Sequence, residues 1–408
     1  MTEAGTPSCP AHVPLEDALA LIRTEALPLD LETVPIADAG LRILGETLRA
    51  RIDAPRGNVA AMDGFAIQDA AARAGRRTFD IAGTTYAGSE RGTALEPDSA
   101  YRVMTGGLMP PVADRVIPFE LVDERDGRIH IDARLPHSLH VRTQGSDFRA
   151  GDPLLGRGTL LDPARLLVAM ASDQPTVAVH RRPRLRIVAS GDELIPAGTA
   201  RDIEAGVPDS ISAALLLFAR QWGAESLGAV TVGDDVAAIE DAARRAVADS
   251  DILVLAGGAS NGDRDLARPA LRAAGLQLGF SGVAIKPGKP AWFGRIGRTH
   301  VVGLPGNPAA ALVVARLFLA PLIHAMGGRG FDTALQWREM PLSRPVPAAG
   351  PRETFLFARR DGNGVEVIER QSASTQLPLA RAEMIVRRPP QASLLSPGAL
   401  VPTLDLLR

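Results

Sequence analysis

The sequence predicts a multidomain chain of α/β plus β class, with a three-layer α/β ligand domain and a smaller β-domain at the C-terminus. Three observations carry this. From Pro183 to Gly327, apolar strand-like runs alternate with amphipathic helical stretches, the pattern of a parallel sheet covered on both faces. On either side of that block, short strand-like runs are punctuated by Gly, Pro and Asp, as in β-rich units. The length, 408 residues, exceeds what one hydrophobic core supports.

Residues 1–13 read as a frayed tail. Leu15, Ala18, Leu21 and Ile22 have helical spacing, closed by Pro28. Val34–Ala39 suits a strand and Leu41–Leu48 a helix. From Arg56 to about Arg142 come the short runs Phe65–Ile67, Phe79–Ile81, Tyr101–Met104, Arg115–Ile117 and Ile129–Ile131. A helix is expected from Asp162 to Ser172, followed by Val177–Val179. In the alternating block, strands are expected at Leu185–Ala189, Ser226–Val232, Ile252–Ala256, Val283–Ile285, Ala291–Gly294 and His300–Gly303. Asp209-Ser210 can cap a helix with Ile211, Leu215, Phe218 and Trp222 on one face, and Asp235 a helix with Val236, Ile239, Ala243 and Val247. Asn307 followed by Pro308 gives a cap and a proline at the first helical position. After Gly327 a Pro-rich stretch leads to Phe355–Phe357, Val365–Ile368 and Met384–Val386, the strands of a small terminal β-domain.

Composition narrows the function. A net charge of −2 and 4% aromatics give neither the global field nor the stacking surface of a nucleic-acid binder. Cys9 is the only cysteine, so neither an intrachain disulfide nor a cysteine-based zinc site can form. The seven histidines are scattered, and His137 with His140 lacks a third ligand. Met1–Pro14 has neither the basic start nor the apolar core of a signal peptide. Ala309–Met326 is the longest apolar stretch, but Arg316, Pro321 and His324 interrupt it, so a buried helix is expected, with no membrane contact and a cytoplasmic location.

Four turns in the alternating block concentrate the chemistry: Ser190–Leu194, Gly257–Asp265, Lys286–Pro290 and Gly303–Pro308. Ligands of open parallel sheets bind outside the carboxyl ends of the strands. Glycines there let an anion approach backbone N–H groups, and helix N-termini add positive potential. Lysines supply charge for an oxyanion, and carboxylates suit a hard cation such as Mg²⁺. The combination points to a phosphorylated or oxyanionic ligand with a metal. Asp192 serves equally as a turn cap, and Asp63 and Thr105 sit in good turn sequences where they could satisfy backbone donors alone.

The order of motifs resembles the molybdopterin molybdenumtransferases, the family that includes the E-domain of gephyrin. The matching stretches are Ala61–Ala66, Ala82-Gly83 with Gly88, Val103–Gly107, Gly145 with Asp147, and the four turns above. The resemblance implies an elongated mixed domain (14–55 and 145–180), a β-rich inserted domain (56–144), an α/β molybdopterin-binding domain (181–330) and a C-terminal small β-barrel-like domain (331–408). It implies Mg²⁺-dependent insertion of molybdenum from molybdate into adenylylated molybdopterin, with release of AMP. Catalytic roles would fall to Asp63, Thr105, Asp147 and Glu193. Substrate contacts would come from Ser190, Gly191, Gly257, Gly258, Ser260, Lys286, Lys289, Pro305, Gly306 and Pro308. The metal set would be Glu193, Asp234 and Asp265. A homodimer with a site shared between chains is implied, as are contacts with a molybdopterin adenylyltransferase and with a molybdoenzyme or its chaperone. Several positions depart from the family pattern: Ser146, Ile211, Gly282 in place of a basic residue, and Phe357 in place of an arginine, for which the strand period makes Arg359 the substitute. These departures leave open a divergent paralogue that binds a pterin cofactor for delivery or modification without inserting molybdenum. A non-catalytic dimeric assembly protein is the other alternative.

Overall fold

The computed structural model describes residues 12–132, 134–257 and 266–407, and these cluster into two compact units. The smaller comprises 33–40 and 46–177; the larger holds the remainder.

The smaller unit is built on a six-stranded sheet in the order Arg115–Pro118, Gly64–Ile67, Ser99–Val103, Thr78–Thr85, Arg128–His130, Asp123–Arg125. Alternate residues divide between two cores. Phe65, Ile67, Phe79, Ile117 and Ile129 pack on one face, and Ala66, Tyr101, Val103 and Val116 on the other. Arg115 is buried here, but its charge is matched by Asp69 at 2.5 Å and by the carbonyls of Pro136 and Ser138, as a buried ion must be. The helix Pro163–Ala171 is capped by Asp162, which accepts a hydrogen bond from Arg165 N–H at 2.9 Å.

The larger unit contains a second six-stranded sheet, ordered Glu225–Val232, Arg184–Ser190, Ile252–Ala256, Thr299–Leu304, Trp292–Ile296, Gln277–Ser281. Its first four strands are parallel. Leu185, Ile187, Ile252, Val254 and Val302 face the helices Leu15–Glu25, Ile211–Gln221 and the long helix starting at Pro308. Val188, Leu253, Leu255 and Val301 face Val236–Val247 and Ala267–Ala273. This is a three-layer arrangement. Asp235 caps its helix through Ala238 N–H at 2.7 Å. At the Ile211 helix the cap is Asp209, which accepts from Ser212 N–H at 3.0 Å; Ser210 makes no capping bond. Asn307 likewise makes no side-chain cap. The helical run 308–326 widens into a π-turn at Ala315–Leu319. The proline at 321 has no N–H to offer the carbonyl four residues back. This run is apolar and long enough to cross a membrane, yet it is 94% buried inside the fold.

A third sheet closes the chain. Glu353–Asp361, Met384–Arg388, Leu400–Asp405 and Arg338–Pro341 follow one another, and Gly364–Val367 pairs with the first of them. Leu342 meets Val365 in an isolated bridge, which brings the sheet round on itself over Leu342, Val365, Met384, Val386 and Val401.

Several elements differ from the sequence reading. The strand expected at Val34–Ala39 is instead Leu31–Pro35, and Ile36–Asp38 forms a 3-10 turn. Leu41–Leu48 is not a helix: Leu41 adopts φ +61°, a left-handed conformation that stops one, and Leu48–Arg49 is a strand paired with Pro153–Leu155. Gln277–Ser281 is a strand that polar ends and Gly279 concealed. The run at Val283–Ile285 becomes Ile285–Lys286, and it belongs to the terminal sheet, beside Glu353 and Thr354.

Candidate functional site

The chain leaves strand Arg184–Ser190 for Glu225–Val232 on one side and places Ile252–Ala256 on the other. The order of strands therefore reverses between Ser190 and Gly257, the place where open α/β sheets bind ligands. A cavity of about 720 Å³ lies there, walled by the carboxyl-end turns and by Ser374 and Gln376.

Each turn is fixed by a specific contact. Asp192 Oδ1 accepts from Asp234 N–H at 2.9 Å, joining the turns after two neighbouring strands. Glu193 folds its carboxylate over Gly191, where a Cβ would stand 2.7 Å from Oε2. Gly257 has φ +92°, and a Cβ there would lie 2.3 Å from the Ser190 carbonyl oxygen, so only glycine fits. Gly306 differs: its nearest neighbour to a Cβ is Gly257 Cα at 3.6 Å, and the protein leaves it room. Ser190 is 4% exposed, and its hydroxyl has no partner among the described residues. Such a group normally finds a hydrogen bond, which a ligand in this cavity can supply.

Two features of opposite sign meet in this cavity. The N-termini of the helices starting at Ile211 and Pro308 both line it, and their free N–H groups favour an anion. Glu193, Asp209 and Asp234 line it too, offering hard oxygen donors suited to Mg²⁺. Among the described residues no three such groups already stand at metal-binding spacing. Gly258, Ser260 and Asp265 lie outside the described residues.

The two lysines form a separate site. Lys286, Lys289 and Pro305 line a second cavity of about 330 Å³, which shares Asn307 with the first. Gly288 shapes the loop: it has φ +119°, and a Cβ would sit 2.8 Å from Val314. Among the described residues no carboxylate lines this cavity. Phe357 is buried in its wall. Arg359, the substitute suggested by the strand period, is instead held by Glu366 directly across the hairpin at 2.6 Å and does not line the cavity. The added cation is Arg352, which donates to the Ile285 carbonyl at 3.2 Å and forms no ion pair among the described residues. Gly282 has φ +117°, a backbone that disfavours the basic side chain sought at that position.

Comparison with known proteins finds matches along both units of the chain. A family model described as MoeA N-terminal region (domain I and II) matches residues 13–172, and one described as probable molybdopterin binding domain matches 186–325. A molybdopterin molybdenumtransferase of Synechococcus elongatus is 31% identical over 88% of this chain and 90% of its own length. One from Nostoc is 30% identical over 80% and 77% respectively. The chain belongs to the molybdopterin molybdenumtransferase family. Among solved structures, the molybdopterin biosynthesis MoeA protein of Pyrococcus horikoshii superposes with a TM-score of 0.80 at 27% identity, covering 97% of this chain and all of that one.

Membership in the molybdopterin molybdenumtransferases makes the chain a transferase of molybdenum cofactor biosynthesis. The structure collects Ser190, Gly191, Glu193, Asp234, Gly257, Gly306 and Pro308 at the first cavity, and the lysines with Pro305 at the second. Asp63, Thr105 and Asp147 belong to the smaller unit. Asp63 Oδ1 accepts from Thr105 N–H at 2.7 Å and from its hydroxyl at 2.8 Å, and these bonds hold the carboxyl below its usual range. The pair therefore braces a turn whatever else it does. Sequence reasoning missed Asp209 and Gln376 at the first cavity and Arg352 at the second. Asp209 carries a readable signal, a carboxylate opening a helix at the sheet's crest. Gln376, whose amide lies 3.4 Å from Ser210 Oγ, and Arg352 belong to no local motif.

Proposed function

We propose that this transferase inserts molybdenum from molybdate into adenylylated molybdopterin, in an Mg²⁺-dependent reaction that releases AMP. The observation that carries the reading is the pairing of cavities, meeting at Asn307: one with helix N-termini and carboxylates, the other, among the described residues, with three cations and no carboxylate. The first suits a phosphoanhydride with its metal, and the second suits a tetrahedral oxyanion. Glu193 and Asp234, with Asp265, are the residues that would hold Mg²⁺, their oxygens matching its preference. When bound, the ion would neutralise charge on the phosphoanhydride.

The chain's own residues then have few chemical duties. The N-termini at Ile211 and Pro308 hold phosphate oxygens, the Ser190 hydroxyl gains its missing partner, and Lys286, Lys289 and Arg352 keep molybdate beside the pterin. The substrate's two dithiolene thiols bond to molybdenum as one molybdate oxygen leaves with their two protons as water, and water cleaves the phosphoanhydride to release AMP, so no protein nucleophile is needed. Positioning and electrostatics account for the rate. Asp63 and Thr105 act at the cleft of a second copy, in a homodimer whose site is shared between chains, and Asp147, near the hinge region, takes part in turnover.

The test is to combine the protein with adenylylated molybdopterin, molybdate and Mg²⁺, following AMP release and metal insertion together. Glu193→Gln should lower turnover by roughly a hundredfold or more, the scale on which lost electrostatic stabilisation acts, and should change the Mg²⁺ dependence. Tight pterin binding without AMP release would support the binding-only paralogue, for which the apolar Phe357 in the second cavity speaks.

A further inference from the structure

We propose that Asp53 is a positioning residue that holds Asp147 in its working geometry. The inference rests on the reading above, in which Asp147 takes part in turnover.

Within the smaller unit, loop 144–150 is fastened along its whole length to segment 53–58. Asp53 grips both ends: Oδ2 accepts from the Gln144 side-chain amide at 2.7 Å and Oδ1 from Ala150 N–H at 2.8 Å. Between them, Gln144 N–H donates to Asn58 Oδ1 at 3.0 Å, Gly145 N–H to the Pro55 carbonyl at 3.0 Å, and Asp147 N–H to the Ala54 carbonyl at 3.0 Å. Ala54 N–H returns a bond to Phe148 at 2.9 Å. Gly145 takes φ +66°, and a Cβ there would meet Arg149 Cγ at 2.8 Å. Asp147, carried at the centre of this framework, is exposed, and no hydrogen bond or ion pair engages its carboxylate among the described residues.

Two carboxylates in one motif thus have opposite roles. Asp53 uses both oxygens on the scaffold, and Asp147 uses none. Both of Asp53's donors are engaged by an ionised group, since those bonds pull its carboxyl below the usual range, and charge-assisted bonds are the stronger kind. A displacement of about 1 Å in a reacting or orienting group can cost about a hundredfold in rate, so the clamp has a measurable consequence.

Asp53→Asn tests it, because an amide keeps one acceptor oxygen for Ala150 N–H, loses the charge that strengthens both bonds, and can meet Gln144 only if that side-chain amide turns over. Turnover should fall roughly ten- to a hundredfold, while calorimetric affinity for adenylylated molybdopterin changes less than about twofold. The Asp53→Asn, Asp147→Ala double variant should be no slower than Asp147→Ala alone, a non-additivity that general destabilisation does not produce. Gln144→Ala, which removes only one of the two bonds, should show a smaller loss and serves if Asp53→Asn does not fold. Full turnover in Asp53→Asn with an impaired Asp147→Ala would overturn this inference alone. So would losses that multiply in the double variant. An Asp147→Ala enzyme as fast as wild type would instead overturn the functional reading at this residue, and the inference with it.

Discussion

Gly306 and Gly257 lie 3.6 Å apart by the measure of a Cβ added at Gly306, yet they should respond to alanine in opposite ways. At Gly257 the methyl would meet a backbone oxygen at 2.3 Å in a left-handed conformation. Strain of that kind costs about 1–3 kcal/mol, and overpacking adds about 1–3 kcal/mol. At about 2–4 °C per kcal/mol for a unit of this size, Gly257→Ala should lower Tm by roughly 5–20 °C. At Gly306 the methyl meets only van der Waals contact and projects where the cavity runs, so Tm should move by no more than about 1 kcal/mol equivalent. The ligand, however, loses that space: about 1–3 kcal/mol of steric conflict is roughly a 5- to 150-fold weaker Kd for adenylylated molybdopterin. Thermal unfolding and calorimetry on both variants decide it. Gly306→Ala with wild-type affinity would show that the ligand does not approach this turn, and a large loss of Tm in that variant would make the glycine a requirement of the fold.

Lys289→Ala should weaken binding of the oxyanionic substrate by roughly ten- to a hundredfold, since each charge-assisted contact contributes about 1.5–3 kcal/mol; Arg352→Ala should do the same and Arg359→Ala should not, as calorimetry at low salt will show. Mixing Asp63→Ala with Glu193→Ala chains should restore roughly a quarter of wild-type activity, because about half of a statistical mixture pairs unlike chains with one intact site each; light scattering showing monomers at micromolar concentration would defeat this. His300 is buried against Phe293 at 5.8 Å, and burial lowers its pKa to about 4. It stays neutral in the fold but protonates below about 6.5 when unfolded, so its contribution, about 3 kcal/mol, is present above pH 6.5 and lost as pH falls towards 4. Denaturant titrations across that range should show the loss, and His300→Phe should flatten it.

What the sequence disclosed about fold and site follows from the range of the interactions involved. Ile252–Ala256 is buried on both faces, so it reads as an apolar run. Asp162 and Asp235 cap helices through bonds three residues away, well within a local window. The Leu41–Leu48 error has a local cause too: one residue in the left-handed region overrides a favourable spacing. The segment at Lys286 could not be placed from its neighbourhood, because its strand partner is Glu353–Thr354 in the terminal sheet. That pairing also separates the lysines from the crest they seemed to share with Glu193. The strand period correctly puts residues 357 and 359 on one face, but Arg359 stands opposite Glu366 in register, and a cross-strand ion pair takes it. Arg352 owes its place to the same long-range pairing and carries no sequence signature.

The separation of charge has a further meaning for the departures from the family pattern. Ile211 lies in the wall of the first cavity, and Phe357 in that of the second. Neither replaces a carboxylate, and neither removes a helix N-terminus or either lysine. At Ile211 the helix still begins, because Asp209 rather than the side chain at 211 supplies the cap; the anion-favouring end survives the substitution. At Phe357 an apolar ring stands where a cation was sought, but Arg352 brings one to the same cavity from the preceding turn. In the proposed reaction the oxyanion therefore meets three cations around a wall less polar than a further arginine would make it. A drier wall strengthens each remaining charge, so one relocated cation can compensate for the missing one. Turnover that survives Phe357 but not Arg352→Ala is the outcome this electrostatic argument requires.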